Sequence, residues 1–489
     1  MYLPRARPTR SLFIALVVFL GGLTLFWQQY PVWSSSRPAL LAEQTDGGFW
    51  KSLSALLAAA TPQCRPPKKT CVAKPIWWDN VHTTTDTTPQ NCLSMPESSI
   101  QAMRESHQTY VQGIANSRPN MSYIPGTRGL VTTAGTDYLP HVIISLRMLR
   151  KIGCQLPMEV FLSTQRDWEP YICNTVLPSL NARCIVQSPH LRTTAKNEPP
   201  SRYQSKIVSI LTSTFSEVLF LDADCFPVTD PTKVFTTAPF TTTGLVTFPD
   251  YWATTASSIY YSITQTPFPA LDKHQTTESG QLFISKPQHE QSLLLALYYN
   301  HFGKKFYYPL LSQGASGEGD KDTFLAAASF YNESYYQVHT GVKSLGHMVN
   351  DHMDGSAMIQ YDPVEDYLFT SSPRDSQSNP NPSPKPMFIH NNFPKFNPRL
   401  LWTEHAHIIT DPTTGAFRRP WTATKEVLDS FGFDVQKSHW REILWVACEL
   451  EGKLWAWQGV DGICENTRAY VDEVFGVNNV RRGSGHGKE

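Results

Sequence analysis

The chain has 489 residues, enough for one large domain or several smaller ones. Its 42 basic and 42 acidic residues give a formal net charge of zero, which argues against nucleic-acid binding through a strong global positive field. Hydrophobic residues make up 41% and aromatic residues 12%, so a large core can form and global disorder is not expected. A net charge of zero leaves room for local charge clusters.

The amino terminus has the pattern of a signal anchor. Arg5, Arg7 and Arg10 precede an apolar run over 12–27, and basic residues before such a run favour a cytoplasmic amino terminus. A cleaved signal peptide is the alternative, although no clear small-residue cleavage site follows the run. We expect a cytoplasmic tail over 1–11, a membrane span over 12–27 and a lumenal remainder.

Two sequons, at Asn120 and Asn332, agree with a lumenal location as predicted glycosylation sites. The nine cysteines form no CxxC pair and no Cys/His metal spacing, which argues against a zinc site. Disulfides can form in an oxidising lumen, but their connectivity stays open. An odd count leaves at least one thiol unpaired, and Cys225, inside a buried strand pattern, is the candidate.

Residues 28–124 have the composition of a stem, rich in Pro, Thr, Ser and Gln, with one short helix predicted near 49–60. The main domain is predicted over 125–480 and a disordered tail over 481–489. In chain order its predicted elements are strand 130–135, helix 141–151, strand 158–162, helix 169–180, strand 184–186, helix 205–214, strand 217–221, strand 281–285, helix 288–300, helix 321–330, strand 387–390 and a helical segment 440–474. Alternating strands and helices predict a mostly parallel central sheet with flanking helices.

Two carboxylates, Asp222 and Asp224, follow the apolar strand 217–221. Ligands of open α/β sheets bind at this carboxyl edge. Two like charges this close require a cation or hydrogen-bond donors, and Mg²⁺ or Mn²⁺ bridged to phosphate oxygens meets that need. A strand-ending turn before Pro227 is the alternative. A phosphatase with this layout expects Thr or Val where this chain has Phe226.

Several motifs, in order, resemble the fungal Golgi mannosyltransferases of the Mnn type. They are Asp222-Ala-Asp224 with its strand and the segments 132–135, 146–153, 278–286 and 317–324. The likeness covers roughly residues 125–430, and the segments 293–300 and 308–314 look closest to the α-1,2 branch. The resemblance implies a GT-A-like fold, GDP-mannose as donor, Mn²⁺ as cofactor with Mg²⁺ as the alternative, and retention of the α configuration.

The function implied by the resemblance is transfer of mannose to a mannose hydroxyl of a glycoprotein glycan, which forms α-1,2 side chains of cell-wall mannan. Its implied setting is the Golgi membrane, through a single type II helix, with membership in mannosyltransferase complexes and no nucleic-acid partner. The alternatives are an α-1,3-mannosyltransferase of the same family and a catalytically silent glycan-binding or scaffolding subunit. The intact Asp222-Ala-Asp224 argues against a silent subunit.

The predicted site residues fall into four groups. The predicted metal ligands are Asp222, Asp224 and, by the layout of related retaining enzymes, His390. Predicted donor contacts are Thr132, Thr133, Ala134, Gly135, Arg202, Lys206, Asp222 and Lys395. Predicted acceptor contacts are Tyr251, Trp252, Gln281 and Asp322. Predicted catalytic groups are Glu278, Glu318 and Asp320.

Ordinary structural roles remain open for most of these residues. The segment 132–135 also fits a β-to-α turn, Arg202 and Lys206 a solvated basic face, and Asp320 a helix N-cap. Tyr251 and Trp252 also fit the core of an aromatic-rich chain.

Overall fold

A computed structural model describes residues 38–83, 90–187, 202–273, 275–349, 352–371, 382–393, 395–411 and 413–476. The predicted segments 1–11, 12–27 and 481–489 lie outside these residues. Among the helices described, none has the length and apolar character needed to cross a membrane. The chain divides into two units, Met1–Gly47 and Gly48–Glu489. The structure describes only the beginning of one helix in the first unit, so all the remaining elements belong to the second.

The strands of the described residues are β1 (Lys68–Lys69), β2 (Leu93–Ser94), β3 (Ile124–Ala134), β4 (Met158–Leu162), β5 (Ala182–Val186), β6 (Phe215–Leu221), β7 (Cys225–Pro227), β8 (Leu245–Ala253), β9 (Gln275–Ser285), β10 (Tyr336–Gln337), β11 (Lys343–Val349), β12 (His352–Tyr361) and β13 (Pro386–His390). The α-helices are α1 (Pro38–Ala59), α2 (Glu97–Ser117), α3 (Leu139–Lys151), α4 (Leu177–Ser179), α5 (Arg202–Thr212), α6 (Phe240–Thr243), α7 (Ser258–Thr264), α8 (Glu290–His301), α9 (Tyr308–Ser312), α10 (Thr323–Phe330), α11 (Pro363–Ser371), α12 (Ala406–Ile409), α13 (Lys425–Asp429), α14 (Val435–Leu450) and α15 (Ile463–Phe475).

A seven-stranded sheet in the order β10-β8-β9-β6-β3-β4-β5 holds the centre of the second unit. The strands from β6 to β5 are parallel neighbours, whereas β9 runs antiparallel to both β6 and β8. Strand β6 is a nearly continuous apolar run because parallel strands are buried on both faces, and Val218, Leu219 and Phe220 have no exposed surface. The prediction of a mostly parallel central sheet is confirmed, with β9 as the antiparallel exception.

A second sheet is antiparallel and has the strand order β11-β12-β13-β7. Strand β7 starts at Cys225, directly after Asp222-Ala-Asp224, so these residues lie where the chain passes from one sheet to the other. Strand β13 pairs with β7, and His390 stands opposite Cys225. This register brings His390 to the two carboxylates from a distance of 165 residues or more in sequence.

Part of the predicted stem packs into the second unit. Helix α2 places its buried apolar residues and one histidine at alternating spacings of three and four: Ile100, Met103, His107, Tyr110 and Ile114. The Tyr110 hydroxyl donates to the Leu294 carbonyl at 2.9 Å, and His107 Nε2 lies 3.0 Å from the Tyr299 hydroxyl. The segment after Gly48 therefore differs from the stem expected over 28–124, because these contacts bury one face of a helix that is otherwise polar.

All nine cysteines lie among the described residues. Three disulfides join Cys71 to Cys92, Cys173 to Cys184 and Cys448 to Cys464. The remaining thiols are those of Cys64, Cys154 and Cys225, which confirms the unpaired state predicted for Cys225. The last disulfide links α14 to α15, the two helices found in the predicted helical segment 440–474.

The prediction of one regular helix over 169–180 is wrong. The structure has a π-helical turn at Ile172–Val176 followed by the three-residue helix α4. Pro178 lies in the first turn of α4, and a proline cannot donate the hydrogen bond that would continue one regular helix through this position.

Candidate active site

The two carboxylates of Asp222-Ala-Asp224 differ in exposure. The Asp222 side chain is 31% exposed, whereas that of Asp224 is 7% exposed. The Asp222 amide donates to the Gly280 carbonyl at 2.7 Å, which extends the pairing of β6 with β9 by one residue. The backbone of Asp222 is therefore fixed at the carboxyl end of β6, where the sequence predicts ligand binding.

His390 completes a group that can hold a metal ion. Its Nε2 atom lies 3.4 Å from Oδ1 of Asp224 and 4.0 Å from Oδ2 of Asp222. One ligand atom from each of the three side chains falls within 4.8 Å of the others. Two carboxylate oxygens and one imidazole nitrogen fit a divalent cation such as Mn²⁺, so the residues present agree with the predicted metal ligands.

Glu278 contacts Nδ1 of His390, the ring nitrogen that does not face Asp222 and Asp224. Its Oε1 lies 2.8 Å from His390 Nδ1 and accepts the Gly280 amide at 2.5 Å, and its Oε2 accepts the Gln281 side-chain amide at 2.6 Å. A carboxylate on Nδ1 leaves Nε2 free to bind a metal, an arrangement common around metal-bound histidines. Glu278, predicted as a catalytic group, thus contacts the histidine ligand.

The charges of Glu278 and His390 support each other. Burial alone would raise the pKa of Glu278, but His390, the Gly280 amide and the Lys206 ammonium outweigh it and lower the pKa to about 2. Burial alone would lower the pKa of His390, but Glu278 and Asp222 outweigh it and raise that pKa. Glu278 is therefore ionised at neutral pH.

Lys206 is an internal cation rather than an exposed one. Its ammonium donates to the Ser279 carbonyl at 2.7 Å and hydroxyl at 2.8 Å, and it lies 3.4 Å from Asp222 and 3.2 Å from Asp320. Burial would lower the pKa of Lys206, but the Asp222 and Asp320 carboxylates outweigh it and raise the pKa. The predicted phosphate contact is replaced by a bridge between two acidic motifs.

Lys395 faces the candidate metal ligands directly. Its ammonium contacts Oδ2 of Asp224 and donates to the Asn391 carbonyl at 3.2 Å. The Asn391 amide in turn donates to the Asp224 carbonyl at 3.0 Å. Lys395 therefore lies beside a predicted metal ligand, and its diphosphate contact stays a prediction. The side chain of Arg202, at the start of α5, is outside the described residues.

The predicted donor segment 132–135 lies at the same sheet edge. Val131 of β3 pairs with Phe220 of β6, so Thr133 and Asp222 each follow that pair by two residues. Thr132 and Ala134 are buried, and Thr133 and Gly135 are half-buried. Among the described residues, none forms a hydrogen bond with the Thr132 hydroxyl. Strand pairing thus brings this segment beside the carboxylates.

The acidic segment 317–322 is neutralised from within the protein. Both oxygens of Glu318 contact the Lys69 ammonium, at 2.8 and 3.0 Å, and Oε2 also accepts the Gly314 amide at 2.9 Å. Asp320 is buried against Lys206, and burial raises its pKa although Lys206 opposes this. Asp322 Oδ1 accepts the Thr277 amide at 2.8 Å, and burial likewise raises the pKa of Asp322.

The predicted acceptor residues differ in how deeply they are buried. Gln281 is fully buried, with its side-chain amide bonded to Glu278 and its side-chain carbonyl accepting the Cys225 thiol at 3.2 Å. Its side chain therefore has protein partners in place of the predicted acceptor contact. Tyr251 and Trp252, at the end of β8, are half-buried. The Tyr251 hydroxyl lies 2.6 Å from that of Ser344, and burial raises the pKa of Tyr251 to about 12.

Comparisons with known proteins identify mannosyltransferases as relatives of this chain. A family model described as “Mannosyltransferase putative” matches residues 127–277 and 266–362. The α-1,2-mannosyltransferase MNN21 of Candida albicans is 32% identical over 79% of this chain and 68% of its own length. The α-1,2-mannosyltransferase MNN2 of Saccharomyces cerevisiae is 30% identical over 79% of this chain and 72% of its own length.

The chain belongs to this mannosyltransferase family. It is a glycosyltransferase, as the sequence predicts. Among solved structures, the galactosyltransferase LgtC has a TM-score of 0.30 and 12% identity over 43% of this chain and 73% of its own. The glycosyltransferase GlyE of Streptococcus pneumoniae has a TM-score of 0.29 and 13% identity over 44% and 45%. Scores this low do not establish a shared fold.

Sequence reasoning missed two features of the mannosyltransferase site. Asp250 and Lys321, buried or nearly so, form an ion pair at 2.6 Å beside β9. Ser279 binds Lys206 through both its carbonyl and its hydroxyl, a contact that only the pairing of β9 with β6 creates. The available signal for the first feature was Asp250, a carboxylate that follows the mainly apolar run 244–249. Both predicted glycosylation sites, Asn120 and Asn332, are exposed.

Proposed function

We propose that this mannosyltransferase transfers mannose from GDP-mannose to a mannose hydroxyl of a glycoprotein glycan and forms an α-1,2 linkage. The observation that carries the proposal is the group of Asp222, Asp224 and His390 at the carboxyl end of β6. The linkage is supported by relatives named α-1,2-mannosyltransferases, and the donor by the resemblance described above.

The proposed cofactor is Mn²⁺, with Mg²⁺ as the alternative, held by Asp222, Asp224 and His390. When bound, such an ion stabilises the negative charge that develops on the diphosphate leaving group. Glu278 fixes the His390 ring, and Lys206 balances the charge of Asp222. Lys395, beside Asp224, supplies a positive charge for the diphosphate.

The proposed setting is the Golgi membrane, with a single type II span, a GT-A-like domain in the lumen and a place in mannosyltransferase complexes. The basic residues before the apolar run 12–27 support this orientation. Three disulfides and two exposed sequons support an oxidising, glycosylating compartment. The proposed physiological acceptor is the mannan of a glycoprotein.

The decisive experiment supplies the full chain with Mn²⁺, a panel of nucleotide sugars and α-linked mannose oligosaccharides, and determines the product linkage by NMR. We expect transfer from GDP-mannose alone, an α-1,2 product, and loss of transfer in EDTA that added Mn²⁺ restores. An α-1,3 product would contradict the linkage, and a galactose or glucose product would contradict the donor. Transfer that persists in EDTA would contradict the metal site.

A further inference from the structure

Three aromatic side chains gather at the end of β8. Trp77 lies with its ring centroid 4.3 Å from that of Trp252 and 5.5 Å from that of Tyr251. Trp77 comes from the segment with stem-like composition, far from β8 in sequence, and 51% of its surface is exposed. Keeping this much apolar indole surface in contact with water is unfavourable. A half-exposed Trp that packs on two other aromatic rings therefore calls for an explanation.

The chain around Trp77 is held in place. Trp77 forms an antiparallel bridge with Trp252, and the Ala253 amide donates to the Ile76 carbonyl at 2.9 Å. Beneath this bridge, Ala253 packs in a small apolar cluster with Val81 and Leu271. The exposed ring is therefore presented by fixed backbone on both sides, which reduces the entropy lost when a ligand binds.

Strand register relates this aromatic cluster to the candidate metal ligands. The Tyr251 hydroxyl contacts Ser344 of β11, Ser344 pairs with Met358 of β12, and Met358 pairs with His390 of β13. Paired residues project from the same face of a sheet, so Ser344 and His390 share one face, about 10 Å apart at two strand spacings. Ser344, which the Tyr251 hydroxyl contacts, therefore lies two strand spacings from His390, and the Trp77 ring packs against the Tyr251 ring.

The neighbouring polar groups suit a sugar rather than an apolar partner. Asp250 precedes Tyr251 on β8 and pairs with Lys321, and the negative charge of Glu278 reaches Tyr251. A hexose offers C–H groups on one face and hydroxyls around its rim. The exposed aromatic ring can pack against the C–H groups, whereas charged groups nearby disfavour a wholly apolar ligand.

We propose that Trp77, supported by Trp252, forms a subsite that stacks on a mannose ring of the acceptor oligosaccharide, beyond the ring that receives the new mannose. This inference rests on the proposed function and adds a residue that lies outside the matched family region, which begins at residue 127. A segment with the composition of a stem thereby contributes to acceptor recognition.

The test replaces Trp77 by alanine in the full chain. We expect the KM for an α-linked mannotetraose to rise about three- to tenfold, with kcat, the KM for GDP-mannose and the KM for methyl α-mannoside unchanged. Trp77→Tyr should retain most of the affinity. Trp455→Ala is the matched control, since Trp455 is 58% exposed and should leave all four quantities unchanged.

Binding of mannotetraose without donor, followed by saturation-transfer NMR, separates this inference from the proposed function. If the wild type binds mannotetraose and Trp77→Ala does not, the subsite stands even where no transfer from GDP-mannose occurs. An unchanged KM and unchanged binding in Trp77→Ala would overturn it. Equal losses for mannotetraose and methyl α-mannoside would also overturn it, because they would show a general disturbance of the site. Loss of membrane or protein association alone would assign Trp77 to docking instead.

Discussion

Asp222 and Asp224 differ from the carboxylates of 317–322 in what surrounds their charge. Glu318 and Asp320 each meet a lysine, and Asp322 accepts from the Thr277 backbone. Asp222 and Asp224 also contact lysines, but they additionally share their space with the His390 imidazole. Two acidic motifs of similar sequence therefore play different parts.

The difference indicates that neighbouring carboxylates can serve one metal ion only where their oxygens converge. In 317–322 the carboxylates turn toward three separate elements, which fixes the loop before α10. At the end of β6 the oxygens turn toward one another and toward His390, an arrangement that is unfavourable without a cation or an ammonium between them. The experiments below test this division of roles.

The largest effect is expected from Asp224→Asn. Removing one negative ligand should lower mannose transfer by at least about a thousandfold, since the leaving-group charge loses its fixed counter-charge. Transfer at saturating donor and Mn²⁺ measures the loss. Asp429→Asn, at a side chain 61% exposed on α13, is the matched control and should leave transfer unchanged. Activity above a tenth of wild type in Asp224→Asn would show that this motif is structural, like 317–322.

Lys206→Met should be the most destabilising single change. It leaves Asp222 and the buried Asp320 without their shared ammonium, so the free energy of unfolding should fall by about 3–5 kcal/mol. Urea unfolding followed by circular dichroism measures this change. Lys425→Met, which breaks an exposed pair with Asp429, serves as the comparison and should cost less than about 1 kcal/mol. Similar losses in the two variants would contradict the bridging role.

Gly280→Ala should weaken the metal site without removing a ligand. A Cβ atom at Gly280 would lie 2.4 Å from Nδ1 of His390 and 2.8 Å from Oε1 of Glu278, so this pair must shift. We expect Mn²⁺ affinity to fall about 10- to 100-fold, the range found when partners of metal ligands are changed. Calorimetry of Mn²⁺ binding measures it. Gly48→Ala meets nothing within 4 Å and is the control; unchanged affinity in Gly280→Ala would rule out His390 as a ligand.

Mn²⁺ affinity should also depend on pH through His390. The pKa of His390 is raised, net of burial, chiefly by Glu278, and a protonated imidazole cannot bind a metal. Affinity should therefore fall as pH drops through that raised pKa, by up to about tenfold per pH unit for one displaced proton. Calorimetry across this range gives the slope. A flat profile in the wild type would contradict the proposed ligation.

The smallest effect is expected from Glu318→Gln. Its pair with Lys69 is partly exposed, at 27% and 41%, so the free energy of unfolding should fall by about 1 kcal/mol or less. Transfer should stay within about threefold of wild type, because both oxygens of Glu318 contact Lys69. Kinetic assays and urea unfolding check both values. A loss as large as that of Asp224→Asn would restore the catalytic role predicted from the sequence.

Local patterns predicted the central elements of the fold well. Strand β4 has its predicted bounds, and β6 begins two residues earlier than predicted, because short apolar runs between polar ends leave little freedom. Helix α2 was not predicted, although its apolar residues have helical spacing, because the polar composition of this segment indicated a stem instead. Strand β8 was missed because Pro249 and Asp250 interrupt its apolar run.

The sequence indicated which polar residues belong to the site better than it predicted the contacts that they make. Asp222, Asp224 and His390 were singled out and are brought together. Lys206, Gln281 and Glu278 were also singled out, but they bond to other protein groups, and those partners come from β9, β7 and β13. A sequence shows which residues are polar within apolar surroundings, but it does not show which charge each one meets.

By itself, the sequence determined the mostly parallel sheet, the position of Asp222-Ala-Asp224 at the end of β6 and the family resemblance. These depend on neighbouring residues, whose hydrophobic periodicity and spacing are fixed by covalent connection. Only the tertiary structure decided that His390 joins the carboxylates, that Glu278 orients it, and that Trp77 lies beside Trp252. Each of these contacts joins segments more than 100 residues apart, and strand pairing and packing alone fix such distances.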